Sequence, residues 1–303
     1  MIHTTTGEGR SSGDDLPYIV RLAIPNKGRI SIPILELMEK SGLHLLDAGE
    51  RRLISRTPDP HIEVLFARPI DIPEYVATGA ADMGITGHDM VAERGVSVDE
   101  LLDLQFGRAT LVLAVEEGSP ARSVNDLAGA KVATEFPGIA QAYFSRHDLP
   151  VQIVQVGGAC EVTPYLGIAD AIIDLSSSGD TLRSNRLRVI SEVMKTSTVV
   201  IANRDARARK SDKVEEIVLA LESVIRARGQ CYLMMNVRRA CLSDVKRVLP
   251  GLSGPTVMEV AASEDLVAVH AVVSENLVYR LINLLKRAGA RDILVMSIER
   301  MVR

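Results

Sequence analysis

The chain has 303 residues, of which 47% are hydrophobic and 24% charged, and its formal net charge is −4. These fractions are typical of a globular protein long enough for two or three domains. The small negative charge argues against a general nucleic-acid coat, and the absence of Trp with a scarcity of Phe leaves few surfaces on which bases could stack.

Residues 1–17 are polar and lack the apolar segment of a secretory signal, so we interpret them as a disordered extension. No later stretch approaches the roughly 18 consecutive apolar residues of a membrane span. The three cysteines, Cys160, Cys231 and Cys241, have no CxxC spacing and cannot all pair. This favours a reducing compartment. We therefore expect a cytoplasmic protein with neither a membrane nor a nucleic-acid partner.

The first predicted unit is a strand at 18–24 followed by a basic glycine turn and a helix. Lys27 and Arg29 lie in the turn, Ser31 begins the helix and Gly42 ends it. In a parallel sheet such a turn lies at the ligand-binding edge, so it is a candidate anion site. The alternative is a solvated turn with two ordinary surface charges.

The second predicted unit is a strand at 62–67 and a helix with Asp71 as its N-cap and Pro73 in its first turn. A short buried strand at 81–86 then precedes His88. The histidines show no HExxH or similar metal-binding spacing. Only His88, next to a glycine and an acid, is kept as a candidate for the cleft.

Short strands and helices continue to alternate, which predicts a parallel α/β architecture with ligands at the carboxyl ends of the strands. Two such lobes would hold a substrate in the cleft between them. Further strands are predicted at 110–115, 131–134, 151–156, 169–175, 187–193 and 198–202, with helices at 123–127 and 139–146.

The most informative stretch is 161–182. A buried strand at 169–175 places Asp174 at its carboxyl end, and the residues that follow, through Gly179, have almost no side-chain bulk. Backbone N–H groups of such a turn bind anions, and serine hydroxyls add donors. Phosphate repels an adjacent acid, so Asp174 suits ribose hydroxyls or a magnesium ion. The alternative is a serine-rich turn in which Asp180 caps the next helix.

A basic segment at 203–213 interrupts the pattern and is the predicted domain boundary. It could be a nucleic-acid patch, but without interleaved aromatic residues it is more typical of a solvated linker. After a helix at 214–228 the predicted order is β-α-β-β-α-β, which indicates a ferredoxin-like module. P-loop and GxGxxG motifs are absent.

Five segments carry a resemblance to a known family. They are Asn26-Lys27-Gly28-Arg29, Arg68 with Asp71-Ile72-Pro73, Ala81 to Gly87, Glu161 to Leu182, and Ala288 to Leu294 with Ile298-Glu299. Together they resemble ATP phosphoribosyltransferase, the first enzyme of histidine biosynthesis, over nearly everything after Tyr18. The C-terminal module resembles that of the long form, which works without a separate regulatory subunit.

The resemblance implies a two-lobed catalytic part of the type II periplasmic-binding-protein fold, followed by a ferredoxin-like regulatory domain. The implied division is 18–108 with 197–212 for lobe I, 109–196 for lobe II, and 213–303 for the regulatory domain. The implied reaction joins N1 of the adenine of ATP to phosphoribosyl pyrophosphate (PRPP), with Mg²⁺ as cofactor. The products are phosphoribosyl-ATP and pyrophosphate.

The resemblance also implies roles for individual residues. Asp174 would hold ribose hydroxyls and is the candidate metal ligand, and Glu161 would help to stabilise positive charge at the reacting carbon. The PRPP-binding residues would be Asp174, Ser176, Ser177, Ser178, Gly179, Asp180 and Thr181. The residues for ATP or pyrophosphate would be Lys27, Arg29, Arg68, Asp71 and Asp89.

The C-terminal module is expected, by the same resemblance, to bind histidine as a feedback inhibitor at Leu252, Ser253, Gly254 and Thr256. The expected assembly is a homodimer that passes to a homohexamer. Two departures from the family pattern are Cys160, where an aliphatic residue is expected, and the run 176–178, which reads Ser-Ser-Ser in place of Val-Ser-Thr. Neither departure removes a donor that the turn requires.

Two other function classes stay open at this point: a two-lobed solute-binding or sensor protein, and another phosphoribosyltransferase. The missing signal sequence and the missing helix-turn-helix region argue against the first class. Formation of an N1-alkylated adenine from ATP, PRPP and magnesium distinguishes all three.

Overall fold

The computed structural model describes residues 18–46, 53–177, 179–249, 254–261 and 263–302. The predicted extension at 1–17 lies outside these residues. Within them the strands form three sheets of six, five and four strands. The expected α/β class is confirmed, with a two-lobed catalytic part and a C-terminal module. None of the helices in these ranges is both long enough and apolar enough to cross a membrane.

The six-stranded sheet forms lobe I. Its order is β2-β3-β1-β4-β11-β5, in which β1, β3 and β4 are parallel and β11 is antiparallel to both neighbours. The strands are β1 (Val20–Pro25), β2 (Ile54–Arg56), β3 (Ile62–Ala67), β4 (Met83–Gly87), β5 (Asp99–Asp103) and β11 (Thr198–Ala202). The helices of this part are α1 (Ser31–Ser41), α2 (Ile72–Ala77) and α3 (His88–Arg94).

Strand β1 is buried on both faces from Leu22 to Ile24, which explains why these residues are all apolar. Leu22 and Ile24 pack in one cluster with α1, whereas Ala23 packs in another with α2. Alternate residues of a strand point to opposite faces, so the two helices cover opposite sides of the sheet. The carboxyl ends of β1, β3 and β4 therefore share one open edge.

The five-stranded sheet forms lobe II, with the order β10-β6-β9-β7-β8. The strands are β6 (Ala109–Glu116), β7 (Lys131–Thr134), β8 (Gln152–Gln155), β9 (Ala171–Ser176) and β10 (Leu187–Thr196). The helices are α4 (Pro137–Arg146) and α5 (Asp180–Ser184).

The sheet of lobe II is mixed, whereas the alternation of strands and helices predicted a parallel architecture. Strands β7, β8 and β9 are parallel, but β6 runs antiparallel to both β9 and β10. Strands β6 and β10 carry the chain into and out of lobe II without a crossover helix. Two neighbouring strands are parallel when a crossover helix joins them, and β6 and β10 are reached without one, so this rule does not fix their direction.

The chain passes between the lobes twice, and the two crossings are hydrogen-bonded to each other. The N–H of Leu104 donates to the carbonyl of Thr198, and the N–H of Thr198 donates to the carbonyl of Phe106, both at 2.9 Å. Two crossings joined in this way restrict movement of the lobes to a hinge.

The predicted linker at 203–213 is a folded part of lobe I. It contains helix α6 (Arg204–Arg209). Arg204 and Arg207 of this helix both pair with Asp99, at 3.1 and 2.9 Å. The basic run therefore compensates an acid of the same lobe, which a pattern of charges cannot show.

Helix α7 (Ser211–Ala227) packs on the core of lobe I. Val214, Ile217 and Leu221 belong to the same buried cluster as Leu22 of β1. The sequence division at residue 213 assigned this helix to the regulatory domain. We propose that lobe I includes α7 and that the C-terminal domain begins at Gly229.

The C-terminal module has the expected β-α-β-β-α-β order. Its sheet is antiparallel throughout, with the order β13-β14-β12-β15, the strand arrangement of a ferredoxin-like fold. Leu281, Leu285 and Val245 of its helices pack on buried residues of the sheet. The elements are β12 (Gln230–Arg238), α8 (Leu242–Val248), β13 (Thr256–Val260), β14 (Ser263–Ser274), α9 (Val278–Arg287) and β15 (Ala290–Ser297).

Replacement of Gly84 by alanine should destabilise lobe I. A Cβ at Gly84 would lie 2.6 Å from a methyl of Ile72 and 2.9 Å from one of Val76. We expect Gly84→Ala to lower the free energy of unfolding by about 1–3 kcal/mol in urea titrations. Gly118→Ala is the control, because nothing lies within 4 Å of its Cβ position. Equal losses in both variants would contradict the packing explanation.

Candidate active site between the lobes

The open edge of lobe I meets lobe II at a small cavity of about 110 Å³. Gly87 and Asp89 line it from lobe I, Leu175 from lobe II, and Thr198 from the crossing. The Thr198 hydroxyl is buried and has no hydrogen-bond partner in the part of the chain that the structure describes. The cavity wall therefore retains an unsatisfied polar atom.

The predicted basic turn after β1 lines the same cavity. Lys27 and Arg29 are exposed there, and Nη2 of Arg29 donates to the carbonyl of Gly107 at 3.3 Å. Gly28 between them has a φ of 101°, a left-handed conformation that glycine adopts without strain. Nothing lies within 4 Å of the position that its Cβ would occupy. Two cations thus face the cleft on an unobstructed turn.

A larger cavity of about 420 Å³ adjoins the first, since Ser197 lines both. Ser176 and Ser177, two predicted PRPP-binding residues, form part of its wall. Arg108 and Lys195 add two exposed positive charges that the sequence analysis did not identify. They come together only through the antiparallel pairing of β6 with β10, so no local motif marks them.

Asp174 is half-buried near the carboxyl end of β9, as expected. Burial raises the pKa of its carboxyl from 3.8 to about 6. The charges of Glu161 and Glu135 raise this pKa further, while a hydrogen bond from the Leu175 N–H, at 2.7 Å, opposes them. An acid in these surroundings favours hydroxyl donors or a cation over phosphate.

Glu161, the second predicted catalytic acid, lies in a 3₁₀ turn at Cys160–Val162. The fold brings it close enough to act electrostatically on Asp174. Burial, with the charges of Asp174 and Glu135, raises the pKa of the Cys160 thiol to about 12. Cys160 is therefore a packing residue and not a nucleophile at neutral pH.

The turn after β9 enters α5 through Gly179, whose φ is 77°. The expectation that Asp180 caps this helix is wrong. Gly179 occupies the N-cap position, and the carboxylate of Asp180, the first helical residue, pairs with Arg183. Thr181 is exposed in the first turn. Ser178 lies outside the described residues.

Asp71 holds two arginines beside the small cavity. It occupies the N-cap position of α2, as predicted, but its carboxylate makes no capping hydrogen bond. It pairs instead with Nε of Arg68 at 2.6 Å and with Nη2 of Arg94 at 3.2 Å. Pro69, next to Arg68, lines the cavity. Arg94 was not predicted, because only the fold brings α3 against this loop.

Asp89 is buried and connects the lobes. Its Oδ1 accepts a hydrogen bond from Oγ1 of Thr196 at 2.8 Å, and its own N–H donates to that Oγ1 at 3.0 Å. The structure therefore brings Asp89 to the cavity, where its carboxylate is already hydrogen-bonded to the hydroxyl of Thr196. His88, the other candidate, pairs instead through Nδ1 with Glu100 of β5, at 2.7 Å.

Glu93 forms a further interlobe contact that the sequence analysis missed. Its carboxylate accepts hydrogen bonds from the N–H groups of Gly138 and Ile139 at the start of α4, each at 3.0 Å. A carboxylate is favoured there by the unpaired N–H groups and the helix dipole. A Cβ at Gly138 would lie 2.6 Å from the Glu93 carbonyl, so only glycine permits this approach.

The described residues contain no group of three or more His, Cys, Asp or Glu that could hold a metal ion. Magnesium is usually bound through one or two carboxylates together with substrate phosphates, rather than by a protein cage. Asp174, in the negative field of Glu161 and Glu135, suits a partial site of this kind. The residues therefore fit a magnesium ion that arrives with a pyrophosphate.

Asp174 should make folding less favourable as the pH rises. Its pKa is raised from 3.8 to about 6 in the folded state, so the neutral carboxyl favours folding relative to the charged carboxylate. This contribution to stability is fully present below the pKa of the unfolded state and is lost as the pH rises through the pKa of the folded state. We expect the stability of wild type relative to Asp174→Asn to fall by about 1–2 kcal/mol between about pH 4 and about pH 7.5. Urea unfolding across this range measures it. A difference that does not vary with pH would contradict the raised pKa.

Comparison with known proteins identifies the family of the chain. The family model HisG, ATP phosphoribosyltransferase, matches residues 68–223, and the model for the HisG C-terminal domain matches residues 227–300. The ATP phosphoribosyltransferase of Methanocella arvoryzae is 53% identical over 285 residues, covering 94% of this chain and 100% of that protein. That of Methanococcoides burtonii is 52% identical over 284 residues, with the same coverage.

Among solved structures, a chain of the ATP phosphoribosyl transferase (HisG:HisZ) complex from Thermotoga maritima is similar, with a TM-score of 0.62 and 27% identity. The match covers 69% of this chain and 98% of that one. The periplasmic VFT2 domain of Bordetella pertussis BvgS is more distant, with a TM-score of 0.43 and 16% identity over 69% and 88% of the two chains. The chain belongs to the ATP phosphoribosyltransferase family, the pentosyltransferases of histidine biosynthesis.

Proposed function

We propose that this enzyme joins N1 of the adenine of ATP to C1 of PRPP, giving phosphoribosyl-ATP and pyrophosphate. The observation that carries the proposal is the position of the half-buried Asp174, which lines neither cavity itself but directly precedes Leu175 of the small cavity and Ser176 of the larger one. The basic turn lines the small cavity from the other lobe. PRPP is a ribose between a phosphate and a pyrophosphate. An acid flanked by two anion-binding turns matches that arrangement of charge.

The turn after β9 would bind the 5-phosphate of PRPP, through the hydroxyls and N–H groups of residues 176–181. Ser176 and Ser177 face the larger cavity. The carboxylate of Asp180 is already paired with Arg183. We therefore propose that Asp180 contacts the phosphate through its backbone N–H. Asp174 would accept hydrogen bonds from the ribose hydroxyls.

The cations around the cleft would bind the pyrophosphate of PRPP and the triphosphate of ATP. Lys27 and Arg29 line the smaller cavity, while Arg108 and Lys195 line the larger one. A further cation, Arg68, is oriented by Asp71 at 2.6 Å, and a guanidinium held in this way suits an oxyanion. Asp89 would contribute to ATP binding indirectly, because its hydrogen bonds to Thr196 hold the two lobes together around the cleft.

In the reaction, the N1 lone pair forms the bond to C1 while the C1–O bond breaks and its electrons leave with pyrophosphate. Attack from the side opposite pyrophosphate inverts C1. Asp174 and Glu161 would stabilise the positive charge that develops on the ribose, and Lys27 and Arg29 the charge on the leaving group. A bound magnesium ion would neutralise pyrophosphate oxygens. Catalysis then consists of positioning and electrostatics, and no general base is assigned.

The C-terminal module would bind histidine as a feedback inhibitor. A cavity of about 240 Å³ lies there, and it includes two residues of the predicted site, Gly254 and Thr256. Tyr232 and His270 also line it, with the tyrosine hydroxyl hydrogen-bonded to Nδ1 of the histidine. These groups suit an amino acid with a polar ring. The other predicted residues, Leu252 and Ser253, lie outside the described part.

We also propose that the enzyme is cytoplasmic and assembles into dimers and hexamers. Three unpaired cysteines suit a reducing compartment. Edge strand β15 exposes Leu294, Val295 and Met296, to 53%, 44% and 43%. Apolar side chains on an edge strand are typical of a surface that another subunit covers.

Asp174→Asn should reduce formation of phosphoribosyl-ATP by about a hundredfold or more, because a neutral side chain does not stabilise the developing charge. The measurement follows the absorbance of the N1-alkylated adenine from ATP, PRPP and magnesium. Asp205→Asn, an exposed acid on α6, should keep full activity. Wild type without product would refute the proposed reaction, and an active Asp174→Asn would refute the role of the acid.

Tyr232→Phe should weaken inhibition by histidine roughly tenfold while the uninhibited rate stays unchanged. The variant removes a polar group from the 240 Å³ cavity but leaves the cleft intact. Tyr279→Phe is the control, because this tyrosine is 83% exposed. Inhibition curves at fixed substrate concentrations measure the effect. Unchanged inhibition in Tyr232→Phe would place the histidine site elsewhere.

A further inference from the structure

Arg228 lies at the junction of three parts of the molecule. It follows the last residue of α7 and precedes β12, so it marks the transition from lobe I to the C-terminal module. Its side chain does not lie along the module but reaches back to the first crossing between the lobes. There Nη1 donates to the carbonyl of Leu104 at 3.2 Å.

The same guanidinium lies over the ring of Phe106, with Cζ 5.2 Å from the ring centre. Arg228 therefore holds the crossing by two contacts of different kinds, a charge-assisted hydrogen bond and a cation–π contact. Burial lowers the pKa of this arginine, and the charge of Glu36 opposes that shift. Although the residue as a whole is exposed, these two contacts hold its guanidinium against the crossing.

The crossing in turn leads directly to the cleft. The backbone groups of Leu104 and Phe106 are hydrogen-bonded to Thr198, which lines the small cavity. The next residue along, Gly107, accepts the hydrogen bond from Arg29 of the basic turn. A displacement of the crossing therefore changes the position of a cation in the active site.

Close packing makes this connection stiff. Gly107 has a φ of 65°, and a Cβ there would lie 2.6 Å from Oγ1 of Thr198. The two crossings thus approach as closely as a glycine allows, and one cannot move without the other.

We propose that Arg228 is a positioning residue that transmits the orientation of the C-terminal module, through the crossing at Leu104 and Phe106, to Arg29 in the cleft. The inference rests on the proposed reaction and extends it, because it says how the module acts on the cleft. Arg228 touches no substrate. It fixes the angle between the lobes and, through the crossing, the position of the Arg29 guanidinium in the cleft.

Two variants test the inference. Arg228→Ala removes both contacts, while Arg226→Ala, in the last turn of α7, removes only a surface pair with Glu222, at 2.7 Å. We expect Arg228→Ala to lower kcat about tenfold, and Arg226→Ala to leave it unchanged. The fold of each variant is checked by its urea midpoint.

Chemical rescue separates positioning from a general loss of structure. A cavity of about 510 Å³, lined by Phe106, Val224 and Arg228, lies beside the side chain. It gives added guanidinium ion access to the space vacated in Arg228→Ala. Guanidinium chloride at millimolar concentrations should restore at least part of kcat in this variant and none in wild type. Failure of rescue in a folded variant would overturn the inference.

Hydrogen exchange supplies a readout that does not depend on activity. The N–H groups of Leu104 and Thr198 close the hydrogen bonds between the crossings. Their exchange should accelerate about tenfold in Arg228→Ala and not in Arg226→Ala. Unchanged exchange would refute the role of Arg228 even if the proposed reaction holds, and accelerated exchange would support it even if that reaction fails.

Discussion

The structure depends on the paired crossing between the lobes. Leu104 and Phe106 from one passage and Thr198 from the other exchange backbone hydrogen bonds at 2.9 Å. This short ladder fixes where the end of β9 meets the end of β4. Both cavities of the candidate site adjoin it, because Ser197 lines each of them. Without the crossing, the serine turn and the basic turn would lie on separate surfaces.

Negative charge on lobe II and positive charge on lobe I lie on the two sides of the cleft, an arrangement that supports the proposed reaction. Asp174 and Glu161 concentrate negative charge at lobe II, and burial keeps the pKa of Asp174 near 6. Lys27 and Arg29 supply positive charge from lobe I. In a partly desolvated site these charges act more strongly than they would in water. In the proposed reaction, these charges would stabilise both the ribose as it becomes cationic and the pyrophosphate as it leaves.

Contacts between the lobes supplement the crossing. Asp89 is joined to Thr196, and Glu93 holds the N–H groups at the start of α4. These acids limit how far the cleft can open. Arg228 adds a link from the C-terminal module to the same region, through Leu104. The two lobes and the C-terminal module are thus all connected to the paired crossing.

The sequence by itself determined the strands and helices with strong periodicity, the β-α-β-β-α-β order of the module, and the family through its motifs. It also located Asp174 at the end of a buried strand, since an Ile-rich run followed by serines and glycine is a local signal. The tertiary structure alone decided the antiparallel course of β6, the helix α6 within the predicted linker, the pairing of Arg94 with Asp71, and the meeting of Arg108 and Lys195 at the larger cavity. Local patterns report burial and turns, whereas strand direction and the meeting of distant charges depend on how elements pack.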